Sequence, residues 1–116
     1  MSESYEREKL AYAVSALASS APIQKRLEHA WMAMHTLKNH GFTNPERQAE
    51  YESIYDRLTA DKSDSHAGHV PTTTARLSDE EAEEIARDIV SLNAMLNWGR
   101  IWALEDEIRE LKLRSK

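Results

Sequence analysis

Cysteine is absent from this 116-residue chain, and glycine and proline occur only three times each. Without cysteine there is no disulfide scaffold and no thiol nucleophile. So little glycine and proline excludes a collagen-like or low-complexity chain. It also disfavours a fold of many short strands joined by tight turns. Gly41, Gly68 and Gly99 stand far apart, so no glycine-rich phosphate loop exists. There is no Gly-x-Ser-x-Gly elbow either. No apolar run approaches the roughly 20 residues that a membrane-spanning helix needs. Strong hydrophobes are scarce: Leu, Ile, Val and Phe make up about 18% of the chain, near the level where disorder sets in.

What the chain has instead is charge and alanine. Fifteen Lys and Arg against twenty Asp and Glu leave a formal charge of −5, with a pI near 5.5. Its basic residues are scattered, which speaks against direct nucleic-acid binding. An acidic protein can instead dock onto a basic partner surface. The modest net charge and the abundant alanine favour helices over disorder. The expectation is one all-α domain over residues 1–116, thinly cored and stabilised by a partner surface.

Four amphipathic segments carry the helical pattern. Leu10, Ala13, Val14, Leu17, Ala18 and Ala21 place a first helix at about residues 3–19. The short apolar stretch 10–18 ends in an Ala-Leu-Ala that mimics a signal-peptide cleavage site. Glu3, Glu6 and Glu8 spoil the basic lead that such a peptide requires. With no anchor motif and no cysteine, the expected compartment is the cytoplasm. Ile23, Leu27, Ala30, Met34 and Leu37 follow a 4-3-4-3 spacing and place a second helix at about 21–39, its face widened by Trp31. Gly41 suits the left-handed position that ends it. A third helix starts at Thr43-Asn44-Pro45-Glu46, where Thr43 and Glu46 fit a capping box; Tyr51, Ile54, Tyr55 and Leu58 form its apolar side, a short stripe expected to leave at least one tyrosine ring edge in water. Residues 61–76, polar and containing Thr72, Thr73 and Thr74, read as a flexible loop between helices three and four.

The last segment opens on Ser78 and Glu81, a second capping box, and carries one stripe at Ala82, Ile85, Ile89, Leu92 and Leu96. A second stripe at Ile101, Leu104, Ile108 and Leu111 is rotated about 140° from the first between Leu96 and Ile101. A continuous helix from Asp79 to Leu113 would be about 52 Å long, against about 35 Å for a compact domain of this size. The segment therefore kinks near Gly99 as a fifth helix, or it projects and buries its end against another chain. Either outcome makes Trp98 and Trp102 junction residues. With Ile101 and Ile108 at heptad position a, Leu104 and Leu111 fall at d, Glu107 at g and Lys112 at e. That pattern supports a homodimer as well as packing within the chain.

Candidate chemistry is sparse. His29, His35 and His40 step by six and five, which scatters them around a helix rather than forming a metal pair. His66 and His69 with Asp61 and Asp64 carry Zn²⁺-type donors, but a loop beside Gly68 is poorly pre-organised. Asp79, Glu80, Glu81, Glu83 and Glu84 load the start of the last helix, as the helix dipole favours. Within them, Glu80-Glu81-x-x-Glu84 resembles the first half of the EExxE…ExxD pattern of the MazG-like all-α nucleoside triphosphate pyrophosphohydrolases. That resemblance implies Mg²⁺ held by Glu80, Glu81 and Glu84, with Glu110 as a fourth ligand. Here Glu107-Ile108-Arg109-Glu110 reads ExxE where the family has ExxD. A second likeness, over Pro22 and residues 27–34, is to small phage proteins that sequester cyclic oligonucleotide signals.

The expectation is a non-catalytic regulatory, inhibitory or adaptor protein that binds another protein, itself a homodimer, with no cofactor. Its partner surface would combine Asp79, Glu80, Glu83 and Glu84 with Trp98, Trp102 and Glu107. The alternative is the Mg²⁺-dependent pyrophosphohydrolase.

Overall fold

The stripes become buried faces. A computed structural model describes residues 4–63 and 68–114 and contains six helical segments among them, with no strand. These are α1 (Ser4–Leu17), α2 (Ile23–Met34), the single turn α3 (Leu37–His40), α4 (Pro45–Leu58), α5 (His69–Arg76) and α6 (Asp79–Arg114). The fold is all-α. Helix α2 lies at its centre, packed on α1, α5 and α6, while α4 closes against α5 and α6.

The core is largely the residues that the spacing selects. Leu10, Ala13 and Leu17 from α1, Ile23, Leu27, Ala30 and Met34 from α2, and Tyr51, Ile54 and Leu58 from α4 are buried. They meet Ala82, Ile85, Ile89, Leu92 and Leu96 from α6. Ala18 is exposed and Tyr55 half-buried, its ring under the Lys38 ammonium at 4.7 Å. Trp31 stacks on Tyr51 at 6.0 Å between ring centroids, and Phe42 folds back onto the same ring at 5.5 Å. The Tyr51 hydroxyl donates to the Met34 carbonyl at 3.1 Å, where α2 breaks before α3. Burial pushes the pKa of that hydroxyl up. Gly41 takes the left-handed backbone (φ 77°) and donates its N–H to Leu37.

Three expectations are corrected, and the choice left open at Gly99 is decided. The second helix does not run unbroken to residue 39: α2 ends at Met34 and the turn α3 follows. The N-cap of α4 is Asn44, not Thr43: its Oδ1 accepts from the Glu46 N–H at 2.8 Å. The stretch 61–76 read as a loop holds helix α5 over His69–Arg76. Thr72 and Thr74 turn their hydroxyls back onto the carbonyls of Gly68 (2.7 Å) and Pro71 (3.2 Å). The Thr73 hydroxyl accepts from the Asp61 N–H at 2.9 Å. With those bonds made, three β-branched polar residues can be buried without the desolvation penalty that free hydroxyls would incur. Finally, Gly99 does not kink the last helix. Helix α6 runs unbroken for 36 residues, about 54 Å at 1.5 Å per residue.

Length and core size then collide as the sequence implies. The body's contact with α6 stops at Leu96, and every residue from Arg100 to Arg114 is exposed. The molecule measures 64 × 28 × 18 Å with a radius of gyration of 16.9 Å, against about 13 Å for a compact chain of this length. An arm explains the excess.

Gly99 costs the arm helix stability without any steric return, because a Cβ there would meet no atom within 4 Å. Gly99→Ala is expected to favour the helical arm by about 0.4–1 kcal/mol. Far-UV circular dichroism should show higher helicity, and amide exchange should slow around residues 98–103.

Candidate functional site

The start of α6 is built as its sequence indicates. Ser78 Oγ accepts from the Glu81 N–H at 3.1 Å, and Glu81 Oε1 accepts from the Ser78 N–H at 3.0 Å. These bonds hold the Glu81 carboxyl below the usual range, the Ser78 backbone N–H contributing most. Asp79 accepts from Gln24 Nε2 at 2.8 Å, and Glu83 faces Arg87 at 3.8 Å. Glu80 and Glu84 are exposed. These acids surround the N-terminal turns, where the helix dipole favours them.

The other half of the expected partner surface is far away. Glu107 lies 28 residues beyond Asp79 on the same helix, about 42 Å along its axis. Trp98 and Trp102 stand between, 55% and 60% exposed, their rings 6.3 Å apart and tilted by 35°. The acids and the tryptophans are therefore two surfaces on one rod. The same geometry separates the carboxylates implied by the pyrophosphohydrolase resemblance. Glu80, Glu81 and Glu84 share the first turns, but Glu110 is 26 residues past Glu84, about 39 Å away along an unbroken helix. A single ion with ligand distances near 2.1 Å cannot take both from one chain.

The histidine-containing loop cluster is similarly divided. Asp64 and His66 lie outside the described residues. His69 is exposed at the first position of α5. Asp61 is already engaged, accepting from the Ser63 hydroxyl (2.6 Å) and N–H (3.0 Å) and pairing with Arg76 at 2.8 Å. The Ser63 hydroxyl is the main reason its pKa is lowered. No group of three or more His, Asp or Glu among the described residues is placed to hold a metal ion. Residues 27–34 mostly serve the core: Leu27, Ala30 and Met34 are buried, whereas Met32 is 65% exposed.

A cleft of about 690 Å³ that the sequence did not announce lies between α4, α5 and the start of α6, lined in part by Arg57, Asp61, Arg76 and Glu84. Arg57 pairs with Asp88 at 2.6 Å and Arg76 with Asp61, so both guanidinium groups are balanced from within the chain.

The distal half of α6 is different in kind. Ile101, Leu104, Ile108 and Leu111 are 43%, 40%, 51% and 62% exposed. Their mean direction lies about 100° around the helix from the buried Leu96 line. Asn97 and Ala94 extend the same line downward, since 94, 97, 101, 104, 108 and 111 step by 3-4-3-4-3, and all six are exposed. Sequence reasoning overlooked this lower part because Asn97-Trp98-Gly99 reads as an interruption. The signal was present in the spacing. Along the helix, Arg109 pairs with Asp106 (3.0 Å) and Arg114 with Glu110 (3.8 Å). The tryptophans lie about 120° around from the seam.

Among the described residues no helix is long and apolar enough to cross a membrane. Comparison with protein-family models, with curated proteins and with solved structures finds no match.

Proposed function

We propose that this is a small non-catalytic regulatory, inhibitory or adaptor protein of the cytoplasm that acts by protein–protein binding and self-associates through the distal half of α6. One observation carries this reading: an amphipathic arm stands clear of the body with its aliphatic stripe in water. Isolated exposed hydrophobes need no explanation, but a contiguous apolar stripe marks an interaction surface. A helix also gains most of its stability from packing such a face. In a folded chain this thinly cored, an uncovered stripe is the place where association adds burial.

Self-association leaves other surfaces for a different partner. The acidic start of α6 (Asp79, Glu80, Glu83, Glu84) suits a basic protein surface. Trp98 and Trp102 form a second contact point, with aromatic rings of the kind enriched at interface centres, whereas Glu107 lies about 160° around the helix from them and flanks the apolar seam. Neither surface calls for a cofactor or for nucleic acid.

Sedimentation equilibrium on the full chain tests the self-association. The mass should rise with concentration from 13.3 kDa towards twice that value, and added detergent-free salt should weaken it only modestly, since apolar contacts dominate. A single species of monomer mass at every concentration would overturn the reading.

A further inference from the structure

We propose that the occupant of the exposed seam on α6 is a second copy of this chain, aligned parallel and in register as a two-stranded coiled coil over residues 94–114. This rests on the self-association proposed above and specifies its geometry. The structure exposes the a positions Ala94, Ile101 and Ile108 and the d positions Asn97, Leu104 and Leu111, while Leu96 at c of the first heptad stays buried against the body. Two of the three heptads are aliphatic at both a and d, fewer than the three or four that fold unaided, and the arm's continuity with the helix of the body supplies the ordering that a free peptide would lack.

The choice of residues selects two strands. Ile at a with Leu at d is the combination that favours parallel dimers over trimers and tetramers. The flanking charges select the orientation. In a parallel pair, each g residue faces the following e residue of the other helix. Arg100 then meets Glu105 of the second copy, and Glu107 meets Lys112, so these four contacts are all between opposite charges. An antiparallel pair with Ile101 opposite Leu111 of the second copy sets Glu105 beside Glu105, Glu107 beside Glu107 and Arg100 beside Arg114. Like charges there oppose association.

Asn97 settles the remaining choice. Shifting the antiparallel pair by one heptad relieves the charges but places Asn97 against Ile108 of the second copy, an amide buried on aliphatic carbon. The parallel register alone places Asn97 beside its own counterpart, where the two amides hydrogen-bond to each other. Pairing amide with amide avoids burying either one on aliphatic carbon. Trp98 then falls at e, flanking the seam beside Asn93 of the second copy, and Trp102 at b points away from it.

Because the chain has no native cysteine, single thiols report the alignment directly. Leu111→Cys and Ala94→Cys variants of the full chain would each be equilibrated in a glutathione redox buffer, alone and mixed. The expected result is a disulfide dimer in each variant alone, and in the mixture like-with-like pairs in at least tenfold excess over 94–111 pairs. Two d- or a-layer thiols in register meet disulfide geometry, and thiols at opposite ends of the seam do not. Predominant 94–111 pairing would overturn the parallel alignment while leaving self-association standing. No disulfide dimer together with a monomer mass for the unmodified chain would overturn both. A disulfide trimer cannot form from single thiols, so strand number is read from the sedimentation mass, and a value of three chains would overturn the two-stranded assignment.

Discussion

Leu27→Ala lowers the unfolding free energy by about 3 kcal/mol, in the middle of the range for truncating a fully buried leucine. Leu27 has no exposed surface and sits on α2, the helix that contacts α1, α5 and α6. Removing its isobutyl group deletes transfer free energy and leaves a void that three different helices must close together. Backbones pinned by the Tyr51–Met34 bond and by the α5 threonines have little freedom to collapse into it. A domain of about 100 residues shifts its melting temperature by about 4–8 °C per kcal/mol, so the midpoint should fall by more than about 10 °C. Thermal unfolding followed at 222 nm, and urea unfolding with an unchanged slope, check the result. A loss under about 1 kcal/mol would mean that α2 is not the central helix. The corresponding truncation of Leu104, which is 40% exposed on the arm, should leave the body's stability within about 0.5 kcal/mol when measured on the monomer.

The second large effect is the mirror image. A Leu104→Glu/Ile108→Glu double variant should keep the body's melting behaviour in dilute solution and lose association by at least about 100-fold, equivalent to about 2.7 kcal/mol. Both residues are solvent-exposed in the single chain, so carboxylates there bury no charge on folding. In the associated state four carboxylates would face one another inside the seam, where an unpaired charge is expensive. Glutamate is also a good helix former, so the arm itself stays intact. Sedimentation equilibrium beside a thermal melt separates the two properties. Leu27→Ala should weaken folding and, where folded, still associate. The double variant should fold and remain monomeric. If both properties fell together in the double variant, the arm would be packed on its own body, contrary to the exposure seen here.

Periodicity made the four long helices legible. The stripes at 10-13-17, 23-27-30-34, 51-54-58 and 82-85-89-92-96 are the buried faces of α1, α2, α4 and α6. Ser78 and Glu81 likewise announced a capping box whose two bonds are present. Helix α5 was hidden because three consecutive threonines have poor helix propensity and look solvated. Thr72 and Thr74 bond back to the carbonyls of Gly68 and Pro71 once the helix forms, and the fold brings the Asp61 backbone to Thr73. The candidate acids were easy to find, and their arrangement was not. Whether Glu84 and Glu110 meet depends on the path of the chain between them, and an unbroken helix keeps them apart.

The scarcity of strong hydrophobes has a definite meaning once the stripes are mapped. By itself the sequence determined which residues face inward on each helix, because 3.6 residues per turn converts spacing into direction. It also determined that α6 carries two apolar faces about 100° apart. It did not determine whether α6 bends at Gly99, because a helical glycine costs only about 1 kcal/mol and does not force a break. The tertiary structure decided that point. The body is too small to cover a second stripe, so nothing draws the helix back, and the backbone keeps its hydrogen bonds by running straight into solvent. The direction of a face is a local property of the chain; the presence of something to cover it is not.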